Sequence, residues 1–143
     1  MLVGQILKVK GDAVFTTVAG AKVSDAAAKL AKERIGVLIV VTDDAHVEGI
    51  LSERDIVRSL GERGAACLAE TINSMMTRDP VCASLSDTGE HVLTRMTEGR
   101  FRHMPVTDNG KLIGIVTLGD VVKARLEELA MENESMQGMI MGR

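Results

Sequence analysis

The stretch GILSERDIV, Gly49 to Val57, closes an apolar run with a hydroxyl at Ser52 and a carboxylate three residues later at Asp55. The chain repeats it as GIVTLGDVV, Gly114 to Val122, with Thr117 and Asp120 in the same places. Working outward, residues 35–57 superimpose on residues 101–122, offset by 66 before a turn and by 65 after it, because the second turn is one residue shorter. Upstream, KVSDAAAKLAKERIG (22–36) keeps the offset of 66 with TGEHVLTRMTEGRF (88–101), and VFTTV (14–18) matches VCASL (81–85) at 67. The chain is an internal duplication, and a repeat of this length is a supersecondary unit.

Each half presents the same order of signals. VFTTV and VCASL are short and β-prone. Val23, Ala26, Ala27 and Leu30 form one apolar stripe at helical spacing, and Val92, Leu93 and Met96 do the same between Thr88 and Glu98. Two strands then flank a tight turn, Asp43-Asp-Ala-His46 in one half and Asp108-Asn-Gly-Lys111 in the other. Asn-Gly is a strong hairpin signal because both positions tolerate positive φ. A helix opens last, at Ser52 or Thr117. The reading is an α+β fold of two β-α-β-β-α repeats, 8–62 and 73–129, with 130–143 a helical extension or tail. One unit would leave a face of its three-stranded sheet bare, so the halves are expected to pack sheet to sheet with pseudo-twofold symmetry. A cleft is expected where equivalent strand ends converge.

Composition narrows the function. The 143 residues carry a net charge of -3, which argues against a large electrostatic footprint for nucleic acid. Phe15 and Phe101 are the only aromatics, so stacking platforms for single strands are missing. The longest apolar run, Gly36 to Val41, is far short of the roughly 18 residues that span a bilayer. MLVGQILKVKGD lacks the charged start and long apolar core of a secretory signal, so a soluble, cytoplasmic protein is expected. Cys67 and Cys82 sit outside any CxxC spacing and are read as reduced thiols.

The order of elements, with G-h-h-[ST]-x-x-D closing each repeat, resembles the CBS domain, and the tandem is similar to a Bateman module over about residues 8–129. The resemblance implies a free-standing, non-catalytic sensor that binds an adenosine nucleotide between the repeats. AMP is the first expectation, with ADP, ATP and NAD(H) as alternatives. It also implies a disk-like homodimer and a regulated partner protein.

Each candidate residue has two readings. Ser52 with Asp55, and Thr117 with Asp120, are capping boxes on spacing alone. A helix N-terminus also favours an anion, and a carboxylate accepts well from a ribose diol. By the resemblance, Asp55 and Asp120 hold ribose hydroxyls, while Ser52 and Thr117 face ribose or phosphate. Arg54 is either a solvated side chain in the first helical turn or a phosphate partner. Arg102 and His103 are either a polar strand edge marked by Pro105 or a phosphate clamp. Ile35, Gly36, Val37, Ile50 and Ile115 are core, or walls of an adenine pocket by the resemblance. Thr16 and Thr17 are weaker candidates. The unlike cations of the two halves lead to an expectation of two unequal sites. Leu126, Leu129, Met136, Met139 and Ile140 form an apolar stripe broken near Asn133 and Gly138, either a frayed tail or a surface for a dimer mate.

Two other classes stand against the sensor. An enzyme would need ligand or nucleophile–base spacing that His46, His91, His103 and the cysteines do not offer, and there is no Walker or Rossmann fingerprint. A structural dimerisation module would use both S/T-x-x-D pairs only as caps.

Overall fold

Val37-Leu-Ile-Val-Val41 is apolar at every position, as a strand covered on both faces requires. It forms β2, the inner strand of the first sheet in the computed structural model, which describes residues 1–140. The elements run α1 (Val3–Lys10), β1 (Thr16–Thr17), α2 (Val23–Glu33), β2 (Val37–Val41), β3 (Val47–Ser52) and α3 (Glu53–Arg63). After two 3-10 turns, at Ala65–Ala69 and Ile72–Ser74, come β4 (Thr77–Arg78), α4 (Gly89–Gly99), β5 (His103–Asp108), β6 (Lys111–Thr117) and α5 (Leu118–Ile140). One sheet has the order β1-β2-β3-β4, with β1 parallel to β2 and the other pairs antiparallel. The other is the β5–β6 hairpin, turned by Asn109 and Gly110 with φ of 52° and 81°. Both φ values are positive, as the Asn-Gly pair predicts.

The α+β duplication is thus present, with two corrections. VCASL is not a strand: Ala83 alone makes a parallel bridge, to Val106. The first half pairs Thr17 with Val40, so Ala83 stands where Thr17 does, at an offset of 66 and not 67. There Ile39 N–H donates to Phe15 O at 3.1 Å. The residue matching Ile39 is Pro105, which has no N–H to give, and the strand shrinks to one bridge. The second correction is β4, which makes the first sheet four-stranded. α5 continues as a helical extension through Asn133 and Gly138 to Ile140, and it leaves Leu126, Leu129, Met136 and Met139 exposed. The Ile140 side chain lies outside the described residues.

Each sheet is covered by a segment that precedes the other repeat. Val3, Ile6 and Leu7 of α1 join Val92, Met96, Met104, Val106, Val116 and Val121 in the second core. Ile72 and Met76, from the connection, join Val23, Leu30, Leu38, Val40, Leu51 and Ile56 in the first. The two straps are held by matching backbone bonds. Val3 N–H donates to Asp87 O at 2.9 Å and Ile72 N–H to Ala21 O at 2.8 Å. Gly89 N–H donates to Met1 O at 2.8 Å and Val23 N–H to Glu70 O at 2.9 Å. At the hairpin tips Leu112 N–H donates to Ala45 O and Val47 N–H to Gly110 O, around a His46–Lys111 bridge. His46 and Lys111 are equivalent residues, so the pseudo-twofold axis passes between them.

The glycine that opens each GILS or GIVT motif makes room for the strap. A Cβ on Gly49 would lie 2.7 Å from Met76 Sδ and 2.8 Å from Thr77 O; one on Gly114 would lie 3.1 Å from the Leu7 methyls. Gly49→Ala is therefore expected to destabilise more than Gly114→Ala, because a strand carbonyl yields less than a leucine side chain. Urea midpoints of the two variants compare them. Ile72→Ala, at a position 0% exposed, is expected to cost about 2–5 kcal/mol. It should shift one common transition, read both by far-UV circular dichroism and by the reactivity of buried Cys67, because each core is closed by a segment that precedes the other repeat. Two separated transitions would contradict the reciprocal closure.

Candidate ligand site at the two helix entrances

Both hydroxyl–carboxylate pairs form complete capping boxes. Asp55 N–H donates to Ser52 Oγ at 3.1 Å and Ser52 N–H to Asp55 Oδ2 at 3.0 Å. Asp120 N–H donates to Thr117 Oγ1 at 3.1 Å and Thr117 N–H to Asp120 Oδ2 at 2.9 Å. One turn earlier, Glu53 N–H donates to Gly36 O and Leu118 N–H to Arg102 O, each at 2.9 Å. The first and third donors of each helix are thereby satisfied. The second, Arg54 N–H or Gly119 N–H, meets no protein acceptor among the described residues, and the Ser52 and Thr117 hydroxyl protons are free to donate. Each box uses only the Oδ2 atom of its carboxylate. The capping reading is therefore correct as local structure, and it leaves polar atoms at both entrances for a ligand.

The entrances differ in charge. Asp120 is joined by Lys10, the last residue of α1, whose Nζ lies 2.6 Å from Asp120 Oδ2 and donates to Ile115 O at 2.9 Å. Burial alone would raise the Asp120 carboxyl. The hydrogen bonds from Lys10 and Thr117, with the Lys10 charge, outweigh it and hold the pKa below the usual carboxylate range. His103 pairs with Thr117 across the hairpin. Burial, then the charges of Lys10, Arg102 and Arg54, keep its imidazole below the ordinary 6.5 against the opposite pull of Asp120. The charge of Arg54, from the first repeat, is therefore felt at His103 in the second. Among the described residues Asp55 makes one ion pair, with the largely exposed Arg58 at 3.8 Å.

The structure thus gathers Arg102, His103, Ile115, Thr117 and Asp120, with the charge of Arg54 acting on His103. Ser52, Asp55, Gly36 and Val37 form the second group, with Val37 paired to Ser52 and buried. Ile35 and Gly36 line a concavity of about 410 Å³ between α2 and α3, with Glu53, Ile56 and Val57. Ile50 is half-buried on β3 opposite Thr77. Thr16 and Thr17 lie on the edge strand β1, where Thr16 O accepts from Lys29 Nζ, and nothing among the described residues ties them to either carboxylate. Lys10 escaped the sequence reading. Its only signal is a cation ending an octad whose Val3, Ile6 and Leu7 fall on one face.

Two segments, residues 9–62 and 71–127, match the model of the CBS domain. The chain belongs to the CBS-domain family. A CBS-domain containing protein from Agrobacterium tumefaciens is 39% identical, with a TM-score of 0.82 over 87% of this chain and 99% of that one. A CBS domain pair solved with 5′-methylthioadenosine and S-adenosyl-L-methionine is 26% identical, with a TM-score of 0.78 over 90% of this chain and 98% of that one. CBSX2, solved in complex with AMP, is 28% identical, with a TM-score of 0.72 over 88% of this chain and 96% of that one. The chain spans only 22% and 24% of the first curated relatives it matches, CBS domain-containing proteins of Arabidopsis thaliana. This CBS pair contains no helix, among the described residues, long and apolar enough to cross a membrane.

The lowered His103 pKa fixes a sign. The unfolded chain takes up that proton near pH 6.5 and the folded one only at lower pH. Stability from this group is complete above about pH 6.5 and is lost as pH falls toward the folded value. His103→Gln is expected to flatten the stability slope below about pH 6.5, measured by urea midpoints. An unchanged slope would remove His103 from the cationic cluster.

Proposed function

We propose that the chain is a non-catalytic regulatory module that binds an adenosine nucleotide, AMP before ADP, ATP or NAD(H), and signals occupancy to a partner protein. The observation that carries this is the α5 entrance. There Asp120 keeps its Oδ1 oxygen clear of the capping box for a ribose diol, beside Lys10, Arg54, Arg102 and His103 for a phosphate. AMP in CBSX2, and methylthioadenosine with S-adenosylmethionine in another relative, support the adenosine class. The exposed Val57 on α3, and Leu126, Leu129, Met136 and Met139 on α5, support a homodimer, since apolar surface of this kind suits a second copy. Adenine stacking would rest on aliphatic walls from Ile35, Val37, Ile50 and Ile115.

A second reading, a dimerisation module in which the pairs only cap helices, is favoured by the completeness of both boxes. Calorimetric titration with AMP separates the two. Asp120→Asn keeps an oxygen for the Thr117 N–H while removing the charge, and is expected to weaken AMP about 10-fold or more. Asp55→Asn tests the first entrance in the same way, with a smaller loss expected. Absence of AMP binding, or affinity indifferent to both substitutions, would leave capping as the only role. With no Trp or Tyr, the protein scarcely absorbs at 280 nm, so nucleotide retained through purification should show as a clear band near 260 nm.

A further inference from the structure

Lys10 and Asp120 come from opposite ends of the chain, and they meet at the one entrance where cations gather. The helix that carries Lys10 cannot drift. Val3, Ile6 and Leu7 are buried in the second core, the Leu7 methyls rest on Gly114, and Met1 is bonded through its amino group to Glu128 of α5. Only the lysine side chain is free to turn. Its side chain is 25% exposed and that of Asp120 23%, so an incoming ligand can reach both. Two of the three ammonium protons go to Asp120 Oδ2 and Ile115 O. The third has no protein acceptor among the described residues.

Charge at this entrance is unbalanced. Lys10, Arg54 and Arg102 are permanent cations at neutral pH, and Asp120 offsets one of them. At the first repeat's entrance Asp55 faces the exposed Arg58 at 3.8 Å. Met76 rests on Gly49 as Leu7 rests on Gly114, but the N–H of Asp79, three residues further on, donates to Glu48 O at the far end of β3 from Ser52. The strap of the first repeat therefore brings no lysine to its carboxylate.

We propose that Lys10 selects ligands by charge at the α5 entrance, holding Asp120 while the site is empty and turning to an anionic 5′ group when a ribose takes that carboxylate. This rests on the adenosine reading and deepens it. The site takes adenosine carrying an anionic 5′ group, a monophosphate or longer, and disfavours a neutral thioether or a sulfonium at the same carbon. Lys10 also competes with the ribose for Asp120, so it strengthens a phosphorylated ligand and weakens an unphosphorylated one.

Calorimetric titration of the full chain with AMP, adenosine and S-adenosylmethionine, for wild type, Lys10→Gln and Lys10→Arg, tests this. Wild type is expected to bind AMP at least about 10-fold tighter than the other two. Lys10→Gln should weaken AMP about 10-fold and leave adenosine equal or tighter, while Lys10→Arg keeps the preference. A thermal midpoint near that of wild type shows that each variant is folded. Equal shifts for AMP and adenosine, or none, would overturn the role of Lys10 and leave the nucleotide reading standing. Failure of wild type to bind any of the three would overturn both.

Discussion

Two apolar sheet faces must be hidden from water, and each half of this chain carries the segment that hides the other's. α1 lies on the second core and the Ile72–Met76 connection on the first, held by matching backbone bonds. The exchange explains features that look unrelated in one dimension. A glycine must open each closing motif, because a strap side chain rests on it. The hairpin tips must meet at His46 and Lys111, because the two straps bring the halves together about one axis. It also brings a residue of the chain's first ten, Lys10, to a carboxylate more than a hundred residues away.

The two helix entrances are where that symmetry breaks. Backbone roles are kept between repeats: Gly36 and Arg102 carbonyls receive the same helix N–H, and Val37 and His103 face Ser52 and Thr117 in the same register. Side chains at these positions are not kept. Gly36 becomes Arg102, Val37 becomes His103, and Gly119 stands opposite Arg54. A duplicated frame with unlike side chains sets Lys10, Arg102 and His103 at one entrance and leaves Asp55 with Arg58 at the other, an inequality that Arg54, Arg102 and His103 suggest in the sequence alone.

Local signals were legible and exchanged ones were not. The amphipathic stripes of α2 and α4, the Asn109–Gly110 turn and both capping boxes depend on residues within a few positions of one another, and their spacing states them. α1, β4 and the strap assignments depend on contacts between distant segments. Residues 1–10 and 70–79 share backbone partners but almost no side chains, so similarity between the repeats does not reveal them. The loss of a strand at VCASL was written in the chain, at Pro105, but on the partner strand. β-propensity read at 81–85 cannot see a donor missing at 105. Arg54 was named for its place in α3, whereas the action of its charge on His103 follows only from the folded halves.

Capping and ligand binding need not compete for the same residues. A capping box requires one side-chain oxygen from the acid and one lone pair from the hydroxyl, and Asp120 Oδ2 and Thr117 Oγ1 supply these. The remaining oxygen, the hydroxyl proton and the free N–H of the second helical residue all lie at the helix mouth, where the peptide dipoles favour negative charge. The box fixes the carboxylate rotamer before any ligand arrives, so little side-chain order is lost on binding. The same bonds that start the helix therefore preorganise its entrance. That is a physical reason for a chain to carry Ser or Thr three positions before Asp at the end of a strand, twice.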